Sequence, residues 1–98
     1  MPPTFELGSR VKSDWQKLSS AENARFREAR KQFTSDLEAG LGFRPRLRVK
    51  GVQGHPNVFE MTWAPDGRAT FEYGSEQIRG KAHIVWRRIG SHNILKNP

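Results

Sequence analysis

The sequence contains no cysteine among its 98 residues, so disulfide bonds, thiolate metal sites and cysteine nucleophiles are excluded. It also lacks an apolar run long enough to cross a membrane. The start of the chain has neither the basic residues nor the apolar stretch of a secretory signal. The three histidines are scattered and do not have the spacing of metal ligands. We therefore expect a cytoplasmic protein that uses no metal and no cofactor.

Acidic residues are fewer than basic residues. The chain has 17 Lys and Arg against 10 Asp and Glu, a net charge of +7 and a pI of about 10.6. A small domain this basic is usually matched to a polyanion or to an acidic protein partner. Hydrophobic residues make up 35% and aromatic residues 10%, enough for a modest core. The length predicts one domain over residues 1–98.

The first half of the chain predicts a strand and two helices. Phe5 and Leu7 alternate with polar residues, which indicates a short strand from Thr4 to Gly8. A short helix follows, because apolar residues recur at helical spacing from Val11 to Leu18. Ser19 and Glu22 have the spacing of a capping box, so a second helix should begin there and end at Gly40 or Gly42. Its apolar stripe consists of Phe26, Ala29, Phe33 and Leu37.

After Pro45 the apolar period changes from helical to two, which predicts four strands. These strands are built around Leu47 to Lys50, Phe59 to Trp63, Arg68 to Tyr73 and Ala82 to Ile89. Between the second and third of them, Ala64-Pro65-Asp66-Gly67 has the composition of a tight hairpin turn. The predicted order is β-α-α-β-β-β-β. This is an α+β fold with two N-terminal helices packed on one face of a small, mainly antiparallel sheet.

Several short motifs resemble the RelE/ParE superfamily of type II toxin–antitoxin systems. They are Phe5-Glu6-Leu7 with the helix after it, Leu47 to Gly51 before Val58 to Met61, Gly67 to Phe71, and Ile89-Gly90-Ser91-His92. The last motif is similar to the Ile-Gly-Thr-His ending of the HigB branch. The resemblance implies a RelE-like fold and a cognate antitoxin that holds the toxin inactive. RelE- and HigB-like members cut messenger RNA during translation, whereas ParE members act on DNA gyrase.

Metal-free RNA cleavage needs a base for the 2′-hydroxyl, an acid for the departing 5′-oxygen and cations for the phosphate. Arg68 follows the rigid turn and can bind phosphate at two points. His92 can give or take a proton near neutral pH. The resemblance implies a catalytic role for both residues. From the sequence alone, Arg68 could equally be a solvent-facing arginine and His92 a residue that caps the strand. His55 is expected in a turn and His83 at a solvated strand start.

A row of cations should accompany this pair. Arg46, Arg48 and Lys50 are predicted to project from one face of one strand, roughly 6–7 Å apart, close to the spacing of successive phosphates. Arg87 on the last strand is predicted to extend this RNA-binding surface. The alternative is a solubilising face that also suits an acidic antitoxin.

Two departures from the family pattern keep other functions open. Many ribosome-dependent members carry basic residues where this chain has Glu60 and Thr62, and its one tyrosine, Tyr73, falls on a core position. Glu60 and Glu72 are expected to pair with arginines across the strands. The expected function is a ribosome-associated messenger-RNA endonuclease toxin, with messenger RNA on the ribosome as its target. The alternatives are a gyrase inhibitor without nuclease activity and a non-catalytic RNA- or protein-binding module.

Overall fold

The computed structural model describes residues 3–98, so the first two residues of the predicted domain lie outside the described part. The chain forms strand β1, two helices and then four strands, with a short 3-10 helix before β2 and another after β5. The elements are β1 (Thr4–Leu7), α1 (Val11–Gln16), α2 (Ser20–Ala39), β2 (Lys50–Gly51), β3 (Phe59–Thr62), β4 (Gly67–Tyr73) and β5 (His83–Ser91), and the 3-10 helices are Pro45–Leu47 and His92–Lys96. The predicted α+β order is confirmed.

The five strands form one sheet in the order β1-β5-β4-β3-β2. Strand β1 pairs with β5 in parallel, and the other three pairings are antiparallel. The parallel pairing arises because α1 and α2 carry the chain across the sheet before β2 begins, so the first strand lies beside the last. The expectation of a mainly antiparallel sheet is therefore also confirmed.

Helix α2 begins and ends at the residues that the sequence indicates. The Ser19 hydroxyl accepts a hydrogen bond from the Glu22 amide, and the Glu22 carboxylate accepts one from the Ser19 amide. The helix ends at Gly40, which adopts a φ of 71° that glycine tolerates without strain. Because both ends are capped, the register of the apolar stripe is fixed, and its residues Phe26, Ala29 and Phe33 are buried against the sheet.

Aromatic side chains form the core between α2 and the sheet. Phe33 meets Phe71 edge-on at 4.9 Å between ring centroids and Trp86 at 5.1 Å. Phe26 packs edge-on against Trp63 and Trp86. Such contacts add to the stabilisation from burying apolar area. The core therefore holds α2 across β3, β4 and β5.

The segment that follows Pro45 is not the strand that its alternation predicts. Pro45–Leu47 forms a 3-10 turn, Arg48 adopts a φ of 47°, and β2 contains only two residues. Proline fixes its φ and has no amide hydrogen for a strand ladder, so it starts a turn here. Leu47 then turns into the core, where it is 2% exposed. The prediction of a strand with a row of cations on one face is therefore wrong.

The turn between β3 and β4 agrees with the prediction. The Trp63 amide donates to the Gly67 carbonyl at 3.1 Å, and the Gly67 amide donates to the Ala64 carbonyl at 3.0 Å. A Cβ atom on Gly67 would lie only 2.6 Å from the buried ring of Trp63. Glycine is therefore required for the turn to approach the core this closely, and Arg68 begins its strand from a fixed position.

A buried ion pair connects α1 to β5. The Asp14 carboxylate accepts two hydrogen bonds from the Arg88 guanidinium, at 2.7 and 3.1 Å, and one from the Ile89 amide at 3.1 Å. Burial disfavours the charged form of Asp14, but these donors and the nearby positive charge outweigh it. The pKa of Asp14 is consequently held below its ordinary value of 3.8.

His83 is buried, whereas the sequence analysis expected it to be solvated. Its Nδ1 lies 2.7 Å from the Thr4 hydroxyl, and its Nε2 lies 2.6 Å from a carboxylate oxygen of Glu6. The imidazole is 5% exposed and ties the parallel strands β1 and β5 together. His55, in contrast, lies in an exposed turn, as predicted.

Replacing Asp14 with asparagine should lower the free energy of unfolding by about 1.5–3 kcal/mol at neutral pH, since a charged hydrogen-bond partner of Arg88 is lost. The folded pKa of Asp14 is lowered, so its contribution is present above the ordinary value and disappears as the pH falls through the folded value. Urea unfolding at neutral and acidic pH should show the two proteins converging in acid. Glu38→Gln on the exposed face of α2 is the matched control, and an equal loss from that change would contradict the assignment.

Candidate nucleic-acid interface

A cationic groove lies where β3 has no neighbouring strand. Strand β2 pairs only with Phe59 and Glu60, which leaves the rest of the outer edge of β3 without a strand partner. Helix α2, the Pro45–Leu47 turn and the β3–β4 turn border this edge and enclose a groove of about 540 Å³. We call it the β3 groove. Its basic lining residues are Arg25, Arg46, Arg48 and Arg68, and Glu28 is the one carboxylate among the described residues that line it.

Arg68 is held in the β3 groove by neutral partners. Its Nη1 donates to the carbonyl oxygens of Gly67, Pro65 and Ala64, at 3.0, 3.3 and 3.4 Å. Carbonyl oxygens position the guanidinium without cancelling its charge. Within residues 3–98 no carboxylate forms an ion pair with Arg68. The side chain is half-buried and fixed, and it retains a full positive charge that can meet a phosphate.

Arg46 and Arg48 reach the same groove from the 3-10 turn. The side chain of Leu47 between them is buried, which places its two exposed neighbours at the groove wall. Lys50 does not join them, because its ammonium group lies 3.9 Å from the Glu60 carboxylate on the neighbouring strand. Glu60 therefore pairs with a lysine and not with the arginine that the sequence suggested.

Arg87 is also outside the β3 groove. The pairing of β4 with β5 shifts at this point, which makes Arg87 an extra residue in β5. Its guanidinium donates to Glu72 at 3.1 Å and to the Pro98 carbonyl oxygen at 3.1 Å. Glu72 therefore pairs with an arginine, as expected. That arginine is Arg87, which the sequence analysis assigned to RNA binding, so its charge is already paired.

His92 is the exposed first residue of the C-terminal 3-10 helix. The register pairs Arg68 with Gly90 and Gly67 with Ser91, so β5 delivers His92 to the end of the sheet where the β3–β4 turn lies. The imidazole forms no hydrogen bond within the described residues and is open to solvent. Arg68 and His92 thus share one end of the sheet, although His92 does not line the β3 groove itself.

The sequence reasoning missed Arg25. This residue directly precedes buried Phe26, so it lies beside the apolar stripe of α2 and reaches the groove along the helix flank. The helical period of the sequence already places Arg25 beside the apolar stripe. Only the packing of α2 shows that this flank faces the β3–β4 turn, so nothing in the sequence distinguishes Arg25 from the other arginines of α2.

Comparison of the structure with solved structures finds similar folds, although no protein-family model and no curated protein matches the sequence. A copper-bound mutant toxin from Helicobacter pylori superposes with a TM-score of 0.69 at 16% identity, covering 93% of this chain and 96% of that one. The E. coli DinJ–YafQ toxin–antitoxin complex gives 0.64 at 15% identity, covering 97% and 98%. The archaeal RelE–RelB complex from Pyrococcus horikoshii gives 0.61 at 18% identity, covering 93% and 96%.

The chain therefore has the fold of the RelE-type toxins, as its motifs implied. These structures match nearly the whole chain, so the similarity is to a complete toxin domain and not to a fragment. Across residues 3–98, no three His, Asp or Glu side chains cluster in a way that could hold a metal ion. The helices in this part are also too short or too polar to cross a membrane.

Removing two cations of the β3 groove should weaken RNA binding in a salt-dependent way. The Arg46→Gln/Arg48→Gln double variant should lower affinity for a labelled single-stranded RNA, with the slope of log affinity against log salt reduced by roughly 0.7 per lost phosphate contact. Fluorescence anisotropy across a potassium chloride series measures both quantities. Lys50→Gln is the control, because Glu60 already neutralises that lysine. If Lys50→Gln caused the larger loss, the groove would not be the RNA surface.

Proposed function

We propose that this chain is the toxin of a type II toxin–antitoxin pair and that it stops translation by cleaving messenger RNA on cytoplasmic ribosomes. The observation that carries the proposal is the arrangement of Arg68 and His92. A fixed, unneutralised guanidinium in a cationic groove lies at the same end of the sheet as an exposed imidazole. The toxin fold supports it, since two of the similar structures are toxins held by the partners DinJ and RelB. A cognate antitoxin is accordingly the expected partner here.

In this mechanism Arg68 binds the scissile phosphate. Its fork of N–H donors can contact two phosphate oxygens at once. As the 2′-oxygen attacks phosphorus, negative charge accumulates on these oxygens, and a guanidinium already in place stabilises that charge without having to reorganise. Arg46 and Arg48 hold neighbouring phosphates along the β3 groove, and Arg25 adds charge from α2.

His92 acts as the general acid. The 2′-hydroxyl gives its proton to water, and its oxygen forms a bond to phosphorus as the bond from phosphorus to the 5′-oxygen breaks. The departing 5′-oxygen needs a proton, which the imidazolium form of His92 donates. Because His92 is exposed, it can reach a bound strand at the mouth of the groove and can regain its proton from solvent.

The groove arginines also supply the positive charge that is missing at Glu60, where related toxins have basic residues. In many of the ribosome-dependent toxins that this chain resembles, basic residues stand at the position of Glu60 and would face the substrate. Here Glu60 is 7% exposed and pairs with Lys50. Arg46 and Arg48 supply positive charge from the adjacent 3-10 turn instead, beside the uncovered edge of β3. The charge requirement is met by a different element of the same fold.

Pulse labelling of protein, DNA and RNA synthesis after induction of the chain alone tests the proposal. Protein synthesis should fall first, and Arg68→Ala or His92→Ala should abolish that fall. Loss of the proton-transfer group His92 costs on the order of 10²–10⁴ in rate, and loss of the preorganised phosphate donor Arg68 costs on the order of 10²–10³. Arg68→Lys should recover little, because it keeps the charge and loses the two-point contact.

His55→Ala is the control, because His55 lies in an exposed turn away from the groove and should leave the arrest unchanged. An earlier fall in DNA synthesis would instead indicate a gyrase inhibitor. Absence of any arrest, together with salt-sensitive RNA binding, would leave a non-catalytic binding module.

A further inference from the structure

A small pocket continues the β3 groove around the β3–β4 turn towards the end of β5. We call it the turn pocket, and its volume is about 280 Å³. Its lining includes Glu22, Arg25, Trp63, Asp66, Gly67 and Ser91. Arg25 and Trp63 also line the β3 groove, so the two cavities adjoin. Pockets for drug-sized ligands enclose roughly 300–1,000 Å³, so the turn pocket suits a single small, flat group.

The turn pocket lies beside both of the proposed catalytic residues. Gly67 and Ser91 are partners in the register of β4 and β5, and both line the pocket. Arg68 directly follows Gly67 in the chain, and His92 directly follows Ser91. A strand whose scissile phosphate meets Arg68 therefore has a neighbouring base within reach of the turn pocket.

The charges of the turn pocket fit a base better than they fit a phosphate. Glu22 and Asp66 bring two carboxylates to its lining. Within residues 3–98, neither carboxylate forms an ion pair. Unpaired carboxylates repel a phosphate, but they accept hydrogen bonds from the N–H groups of a base. The phosphates of a bound strand therefore belong in the β3 groove, and the turn pocket is left for a base.

Glu22 and Arg25 are three residues apart on α2, which places their side chains on one face of the helix. They form no ion pair with each other. The capping box holds Glu22 in place, since its Oε1 accepts a hydrogen bond from the Ser19 amide at 2.8 Å. The two side chains thus offer a positioned acceptor group and a donor group, side by side, to a ligand.

Trp63 adds an aromatic ring to the lining of the turn pocket. The residue is 8% exposed, and its indole N–H has no acceptor within the part of the chain that the structure describes. A buried donor without an acceptor is unfavourable, and a carbonyl oxygen brought against Trp63 would satisfy it. Aromatic side chains are also the surfaces on which unpaired RNA bases pack.

We propose that the turn pocket reads a guanine next to the scissile phosphate. Guanine presents two adjacent donors, N1–H and the N2 amino group, which suit one carboxylate, and two adjacent acceptors, O6 and N7, which suit one guanidinium. Glu22 accepts from the donor pair and Arg25 donates to the acceptor pair. Adenine, cytosine and uracil present no such pair of adjacent donors. The inference rests on the proposed function in one respect, that the bound strand is the messenger RNA to be cut.

The test measures binding of the full chain to labelled oligouridine heptamers by fluorescence anisotropy. The heptamers differ only in a central guanine, adenine, cytosine or uracil, and 2′-O-methyl groups prevent their cleavage. The guanine heptamer should bind at least about tenfold more tightly than the other three, the effect of one two-point contact with a base. Central inosine, which lacks the N2 amino group, and central 7-deazaguanine, which lacks N7, should each lose most of that gain.

Glu22→Gln tests the carboxylate without removing the helix cap, because glutamine can also complete a capping box. This variant should bind the guanine and inosine heptamers equally, since an amide offers one acceptor where the carboxylate offers two. Arg25→Gln should bind the guanine and 7-deazaguanine heptamers equally. Glu38→Gln is the matched control, because it removes an exposed carboxylate from the same helix outside both cavities. It should keep the full preference for guanine.

Equal binding of the four heptamers, or a guanine preference that Glu22→Gln retains, would overturn the proposal. Guanosine monophosphate that competes at the same concentration as the guanine heptamer would also overturn it, in favour of a free nucleotide as the ligand. Translation arrest without base discrimination would remove this inference alone. Base discrimination without arrest would remove the proposed function and leave a pocket that reads a base in a bound strand.

Discussion

The contact of Phe33 with three other aromatic rings determines where α2 lies, and much of the molecule depends on that position. Phe33 stacks on Phe43 at 4.7 Å, meets Phe71 edge-on at 4.9 Å and packs against Trp86 at 5.1 Å between ring centroids. Close packing of large rings permits few alternative arrangements. Since the β3 groove lies between one flank of α2 and one edge of the sheet, the same contacts set its width and its lining.

Within residues 3–98, carboxylates pair with three arginines outside the β3 groove and with none of the arginines that line it. Arg88 pairs with Asp14, Arg87 with Glu72, and Arg44 with Asp36, where the hydrogen bonds from Arg44 hold the pKa of Asp36 below its usual range. The arginines that line the β3 groove have no ion pair within residues 3–98. Arg25, Arg46, Arg48 and Arg68 thus bring four positive charges to the β3 groove at a sheet edge.

The predictable features of the fold came from local chemistry. The capping box at Ser19 and the turn before Arg68 each act over a few residues, and the structure keeps both. The alternation of apolar and basic residues after Pro45 led to the wrong prediction of a strand. A period of two does not distinguish a strand from a turn that buries one residue and exposes its neighbours. The contact of Leu47 with the core decided between them.

The sequence by itself determined the order of elements, the caps of α2, the position of Arg68 beside a rigid turn and the excess of positive charge. The tertiary structure alone decided which cations meet. It grouped Arg25, Arg46, Arg48 and Arg68 in one groove, paired Lys50 with Glu60 and Arg87 with Glu72, and buried His83 between two strands. The reason is physical. Capping and turn formation depend on neighbours in the chain, whereas the neutralisation of a charge depends on which side chains the sheet register and the helix packing bring within a few ångströms.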